Sequence, residues 1–285
     1  MNIRNAERKK AKIKLAIQGS SGSGKSLSSL LTAKGLTGDL SKVIVIDTEN
    51  GSADLYAHLG DYKVLPMQAP YTPEKYIKAI DICIKAGAEC IIIDSISHAW
   101  DNLLGYHASL SGNSFTNWNK ITPRHKAFIQ KILEAPVHVI ATMRTKQDYV
   151  LNQKDGKFIP EKVGLKAIQR DGVDYEFTIA FDLDIKHNYT CSKDRTGIFM
   201  DKPEFIITAE TGIQILNWCN QGIPIDFVRS QVTDCQTLDQ LTEVYKKYTT
   251  YYPDLAKEFS KQKETIQNQN FLNQKKTQNG ATNHQ

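Results

Sequence analysis

Eight residues near the start of the chain, Gly19-Ser20-Ser21-Gly22-Ser23-Gly24-Lys25-Ser26, match G-x-x-x-x-G-K-[ST] without deviation. They follow a short apolar stretch, Ile13 to Gln18, that reads as a strand. They precede Lys25 to about Lys34, which reads as a helix. Strand, glycine loop and helix in that order form one structural unit with one chemical use. The glycines let the backbone curl until successive N–H groups point at phosphate oxygens, and the helix N-terminus adds positive partial charge. Lys25 is expected to reach the β- and γ-phosphates of a nucleotide, and Ser26 to place its hydroxyl on Mg²⁺.

The rest of the first half repeats the alternation. Val43 to Asp47, Cys90 to Asp94 and Val137 to Thr142 are short apolar runs that read as buried strands. Between them, Tyr76, Ile77, Ile80 and Ile84 have helical spacing, with Thr72 placed as an N-cap and Pro73 in the first turn. Thr122-Pro123 is expected to open another helix through Leu133. Apolar strands separated by helices predict an α/β fold with a mostly parallel central sheet covered on both faces. Residues 145–173 are polar and show no period, so a long loop is expected there. Beyond it, Phe177 to Leu183, His187 to Ser192, Phe205 to Thr208 and Ile213 to Trp218 read as strands of an antiparallel extension. From about Pro224 the spacing is helical, and Pro253 separates two helices of a small hairpin. The expected division is a basic arm (1–12), an α/β core (13–222), a helical hairpin (223–266) and a disordered Gln/Asn-rich tail (267–285).

The Cys90-Ile91-Ile92-Ile93-Asp94-Ser95 strand carries the second chemical signal. An apolar strand ending in Asp opposite the phosphate loop is the Walker B pattern, in which Asp94 holds Mg²⁺ with Ser26. Ser95 occupies the position after it, where many ATPases carry the glutamate that activates water. An acid at the end of a neighbouring strand reaches the same place, so Glu49 in Ile46-Asp47-Thr48-Glu49 is assigned as the base, with Asp47 as the reserve.

This combination resembles the core of RecA-type recombinases. In that family the strand after the phosphate-loop helix ends in Ile-Asp-x-Glu, and the glutamate is the base. A Tyr-Ala follows seven residues on, here Tyr56-Ala57, and the resemblance implies that Tyr56 stacks on adenine. The Asp94-Ser95 strand end also agrees. Thr142 stands at the family's polar sensor position, usually Gln or Asn, and Arg144 and Lys146 form the Arg-x-Lys at the root of its DNA-binding loop. Lys193-Asp194-Arg195-Thr196-Gly197 resembles the K-x-R-x-G turn of DnaB-type ring helicases. The resemblance implies that Lys193 and Arg195 act on a neighbouring subunit's γ-phosphate, which requires a ring or filament with shared active sites. It covers roughly residues 13–200 and is closest to short phage and prophage RecA-fold ATPases of the single-strand-annealing type. A single-strand-binding protein is a further partner consistent with that role.

Charge is distributed in a way that suits a polyanion. Residues 1–14 carry Arg4, Arg8, Lys9, Lys10, Lys12 and Lys14 against Glu7, which accounts for the whole chain's formal +5. Residues 144–170 add seven basic side chains against Asp148, Asp155 and Glu161, interleaved with Tyr149 and Phe158. Aromatics among cations suit a single strand, whose bases stack while cations follow its phosphates. Arg144, Lys146, Lys154, Lys157 and, from the 107–124 segment, Trp118 are the candidate DNA contacts; for Trp118 the reading as a core anchor competes.

Apolar runs such as Cys90 to Ile93 stop far short of the ~20 residues that cross a membrane. Five cysteines without a C-x-x-C pair predict neither a disulfide framework nor a zinc ribbon, and suit a reducing cytoplasm. Three other classes use a phosphate loop. A GTPase switch finds only Thr145-Lys146-Gln147-Asp148, beyond the strand end. A small-metabolite kinase would need an Arg-rich lid. A motor or loader for DNA replication or packaging stays open beside annealing.

Overall fold

The computed structural model describes residues 11–154, 157–220, 225–248 and 255–280, with the side chains of 147–164, 225–226 and 271–280 excepted. The N-terminal basic arm, apart from its last two residues, lies outside them. Residues 12–218 form one compact unit and the helices after it a second.

The first unit is built on strands β1 (Lys14–Gly19), β2 (Val43–Asp47), β3 (Lys63–Pro66), β4 (Cys90–Asp94), β5 (His138–Lys154), β6 (Lys157–Ala167), β7 (Ile179–Leu183) and β8 (Tyr189–Asp194). Their order across the sheet is β3-β2-β4-β5-β1-β7-β8, with β6 paired to β5 off this path. Every neighbouring pair from β3 to β7 is parallel; β8 runs antiparallel to β7 and β6 to β5. The β-branched runs are therefore buried on both faces, as parallel strands must be.

One face packs Ile44, Ile46, Ile91, Ile93, Val139 and Ala141 against helices α2 (Pro73–Lys85) and α4 (Ser114–Glu134) through Tyr76, Ile80, Phe128 and Ile132. Helix α1 (Lys25–Thr37) packs against β4 and β5, and α3 (Ser97–Ser109) follows β4. Thr72 caps α2, accepting a hydrogen bond from Lys75 N–H as its sequence position predicts.

Several expectations are corrected. Helix α4 opens at Asn113, whose Oδ1 accepts from Phe115 N–H at 2.8 Å, and it carries Pro123 in its interior. An interior proline costs about 3 kcal/mol. Burial of Ile121, His125, Phe128 and Ile132 along one face lets the helix continue through it.

The aperiodic stretch after Arg144 is not a loop: β5 runs on to Lys154 and turns back as β6 in a long antiparallel ribbon. Backbone pairing alone defines such a ribbon, so it needs no apolar alternation to form. β7 joins the parallel sheet, so the antiparallel extension reduces to β8, and Phe205 adds only one bridge to Tyr189.

Ile213 to Trp218 lies in helix α5 (Ala209–Asn220). Its buried positions Thr211, Ile215 and Cys219 recur every four residues. Gly212 and Gly35 let its backbone approach that of α1: a Cβ on Gly35 would lie 2.0 Å from the Ala209 carbonyl oxygen.

Among the described residues the second unit has three helices rather than the two of a hairpin: α6 (Ile225–Thr233), α7 (Leu238–Tyr248) and α8 (Ala256–Gly280). Val228, Val232, Leu241, Tyr248, Phe259 and Ile266 form their core. Helix α8 carries on to Gly280 through the segment whose composition reads as disordered. Residues 267–270 of it are exposed, so this extension follows helix propagation rather than burial.

Candidate active site

Parallel strands bring their carboxyl ends to one edge, and the sheet order decides what meets there. β5 separates β1 from β4, so the phosphate loop after β1 and Asp94 at the end of β4 face each other across one strand. Gly22 (φ 79°) and Gly24 (φ 98°) take left-handed backbone that only glycine adopts without strain. Gly19 leaves room for Ser23 Oγ, which an added Cβ would meet at 2.7 Å. Ser23 Oγ and Lys25 Nζ both donate to the Ser20 carbonyl, at 2.8 and 2.7 Å. Burial pulls the Lys25 ammonium below the ordinary lysine range, against Asp94 and Glu49, which favour its charge.

Ser26 Oγ donates to Asp94 Oδ2, and Thr142 Oγ1 donates to Asp94 Oδ1 at 2.5 Å. Burial raises the Asp94 carboxyl above the usual range, while these two hydroxyls work to keep it ionised. The donors here are all oxygens, a set that suits a hard cation such as Mg²⁺ held by one carboxylate, a hydroxyl and the nucleotide's own phosphates. Among the described residues no cluster of three or more His, Cys, Asp or Glu offers an all-protein metal cage.

Glu49 follows β2, one strand beyond Asp94, and the chain turns away through left-handed Asn50 and Gly51. Its carboxylate accepts two hydrogen bonds from Arg144, Nε to Oε1 at 2.8 Å and Nη2 to Oε2. His98 Nε2 lies 3.9 Å from Oε1. Burial raises the Glu49 carboxyl, but the Arg144 bonds and charge, with His98, outweigh it and hold the group below its ordinary range. Burial likewise lowers the His98 imidazole, which stacks on Tyr71 and shares a 2.8 Å hydrogen bond with Thr48 Oγ1. Asp47, the reserve acid, accepts from Glu49 N–H at 2.6 Å and does not line the cavity.

A cavity of about 560 Å³ gathers these groups: Ser21, Gly22, Gly24, Lys25, Ser26, Glu49, Tyr56, Asp94 and Arg144 all line it. Ile206, Ile207, Lys186 and His187 also line it. Sequence reasoning missed these last four. They follow β7 and β8, whose place beside the phosphate loop no local pattern reveals.

Thr142 stands behind the cavity on Asp94. Lys146 is exposed on the ribbon, and the side chains of Lys154 and Lys157 lie outside the described residues. Arg144, a candidate DNA contact, lines this cavity and pairs with Glu49. Trp118 packs on α4 against His107, centroids 4.3 Å apart, and Trp100; its neighbour Phe115 is 85% exposed. Lys193 and Arg195 sit at the opposite end of the sheet: Lys193 pairs with Ala180 at the amino end of β7, whereas Leu183, at its carboxyl end, pairs with Gly19. Arg195 Nη2 donates to the Tyr175 carbonyl at 3.4 Å, and Lys193 Nζ lies over the Tyr175 ring. Neither lines its own chain's cavity.

A family profile described as an AAA domain matches residues 11–212, from the first strand to the start of α5. No curated protein matches the chain.

Proposed function

The chain belongs to the AAA domain family of P-loop ATPases, whose members bind and hydrolyse nucleotide, and we propose that it is a RecA-like member that couples Mg·ATP hydrolysis to binding of single-stranded DNA, in phage or prophage recombination or annealing. The observation that carries this reading is the position of the base. Glu49 follows β2, the strand paired with the one that ends in Asp94, as in the RecA core, and Ser95 leaves the position after Asp94 without an acid.

Lys25 and the loop N–H groups hold the phosphates, Ser26 and Asp94 hold the cation, and Glu49 takes the proton of the attacking water. Bound Mg²⁺ supplies charge neutralisation at the phosphates. Tyr56, on the cavity wall, offers its ring to the base. The ribbon, with Lys146, Lys154 and Lys157, and the exposed Phe115 beside Trp118 supply the cations and rings a single strand needs. Lys193 and Arg195 do not line their own chain's cavity, so the role their resemblance implies would be on another subunit's nucleotide, in a ring or filament.

A loader or motor role in replication or packaging uses the same parts. ATP turnover measured with and without single-stranded DNA across a salt series tests the proposal. Stimulation that falls steeply with salt is expected. DNA-independent turnover, or stimulation by duplex alone with translocation along it, would turn the assignment to the motor class.

A further inference from the structure

The turn between β7 and β8 reaches the phosphate loop and holds it. Asp184 staples this turn: its Oδ1 accepts from Lys186 N–H at 2.7 Å and Asn188 N–H at 2.9 Å. Its own N–H donates to the Asn188 carbonyl at 3.0 Å. The staple holds His187 in left-handed backbone, φ 67°, a conformation uncommon for any residue other than glycine. Held there, His187 places Nδ1 2.7 Å from the Ser23 carbonyl oxygen. A carbonyl only accepts, so Nδ1 carries the proton. The ring also lies against Gly24, where an added Cβ would meet Nδ1 at 3.2 Å.

A trans peptide points its C=O and N–H in opposite directions. His187 holds the Ser23 carbonyl, so the Gly24 N–H of the same peptide points away from the imidazole, and Gly24 itself lines the cavity. We propose that His187 is a positioning residue for nucleotide binding: it fixes the Ser23–Gly24 peptide so that the Gly24 N–H is aimed at the phosphate chain of a nucleoside triphosphate before the ligand arrives. Preset donors spare the ligand the cost of ordering the loop. The inference rests on the nucleotide reading of the cavity and adds to it a residue distant in sequence, after the neighbouring strand β7, that the loop motif does not contain.

The test compares His187→Gly and His187→Asn with the wild-type chain. Glycine accepts the left-handed backbone and removes the bond. Asparagine also tolerates that backbone and carries an N–H donor at the δ position, where histidine has its own. Affinities for ATP and AMP are measured by titration, with the melting temperature of the nucleotide-free protein. His187→Gly is expected to weaken ATP about tenfold, the scale of one hydrogen bond to a charged group, and AMP far less. His187→Asn is expected to restore most of the ATP affinity, with the nucleotide-free melting temperature the same in all three. Unchanged ATP affinity in His187→Gly overturns the proposal. So does an equal loss of ATP and AMP with a lowered melting temperature, which marks a purely structural contact. If wild-type protein binds ATP and Lys25→Ala does not, either result condemns the His187 brace alone; a wild-type chain that binds no ATP removes the cavity reading as well.

Discussion

Arg144 holds both carboxylate oxygens of Glu49 in one planar fork, joining the root of the β5–β6 ribbon to the residue proposed to activate water. A carboxylate paired on both oxygens and held below its ordinary pKa is a poor proton acceptor. For the proposed base, this pairing is a restraint. Movement at the ribbon's root offers a direct route to freeing it.

Removing the restraint tests this. Arg144→Ala is expected to raise DNA-free ATP turnover several-fold and to flatten its response to single-stranded DNA in a steady-state phosphate-release assay. Glu49→Gln is expected to bind ATP normally and hydrolyse it at least ~100-fold more slowly, the usual weight of general base catalysis. A fall in basal turnover for Arg144→Ala would mean that the guanidinium serves the reaction itself.

Subunit sharing is tested by mixing two inactive chains. Lys25→Ala lacks the phosphate grip and Arg195→Ala the group proposed to act on a neighbour, so an equal mixture should recover part of the wild-type rate if one site draws on two chains. Activity that stays at the level of the separate variants would place Arg195 outside the reaction and leave it an exposed cation at the sheet's amino edge.

The α1–α5 contact is tested by Gly35→Ala. The new methyl would meet backbone atoms, the Ala209 oxygen at 2.0 Å and the Ile213 nitrogen at 2.7 Å, and no rotamer change moves them. The loss in urea denaturation should exceed the ~1–3 kcal/mol of ordinary overpacking. Gly38→Ala, at φ 69° with open space around it, should cost only the left-handed strain of about 1–2 kcal/mol.

The pH dependence has a defined sign. His138 is buried, its Nδ1 accepts from Ile13 N–H at 3.2 Å, and burial with Lys12 and Lys14 lowers it from 6.5 to about 3. Between those values the unfolded chain binds the proton and the folded chain does not, so stability falls as pH falls. This contribution is whole above pH 6.5 and is lost as pH drops toward about 3. His138→Asn keeps an acceptor at the same position and removes the titration, so its unfolding midpoint should fall less steeply between about pH 6.5 and 4. Parallel acid limbs for the two proteins would rule this out.

The chain's own pattern carries the phosphate loop, the buried strands β2 and β4, helix α2 with its Thr72 cap, and the acids Asp94 and Glu49, because each is declared within a few residues by period, glycine placement or strand-end chemistry. The places where reading failed share one cause. Pro123 stays inside a helix because burial along α4 outweighs a local penalty. Ile213 to Trp218 lies in a helix that buries Thr211, Ile215 and Cys219 and lays Gly212 on Gly35, far away in sequence. The ribbon forms through backbone pairing that leaves no apolar signature. Tertiary structure alone decided that β7 lies beside β1, so that His187 reaches the Ser23 carbonyl, and that only β4 separates β2 from β5, so that Arg144 reaches Glu49. Contacts between distant segments depend on the sheet order, and neither a residue's type nor its neighbours in sequence encode that order.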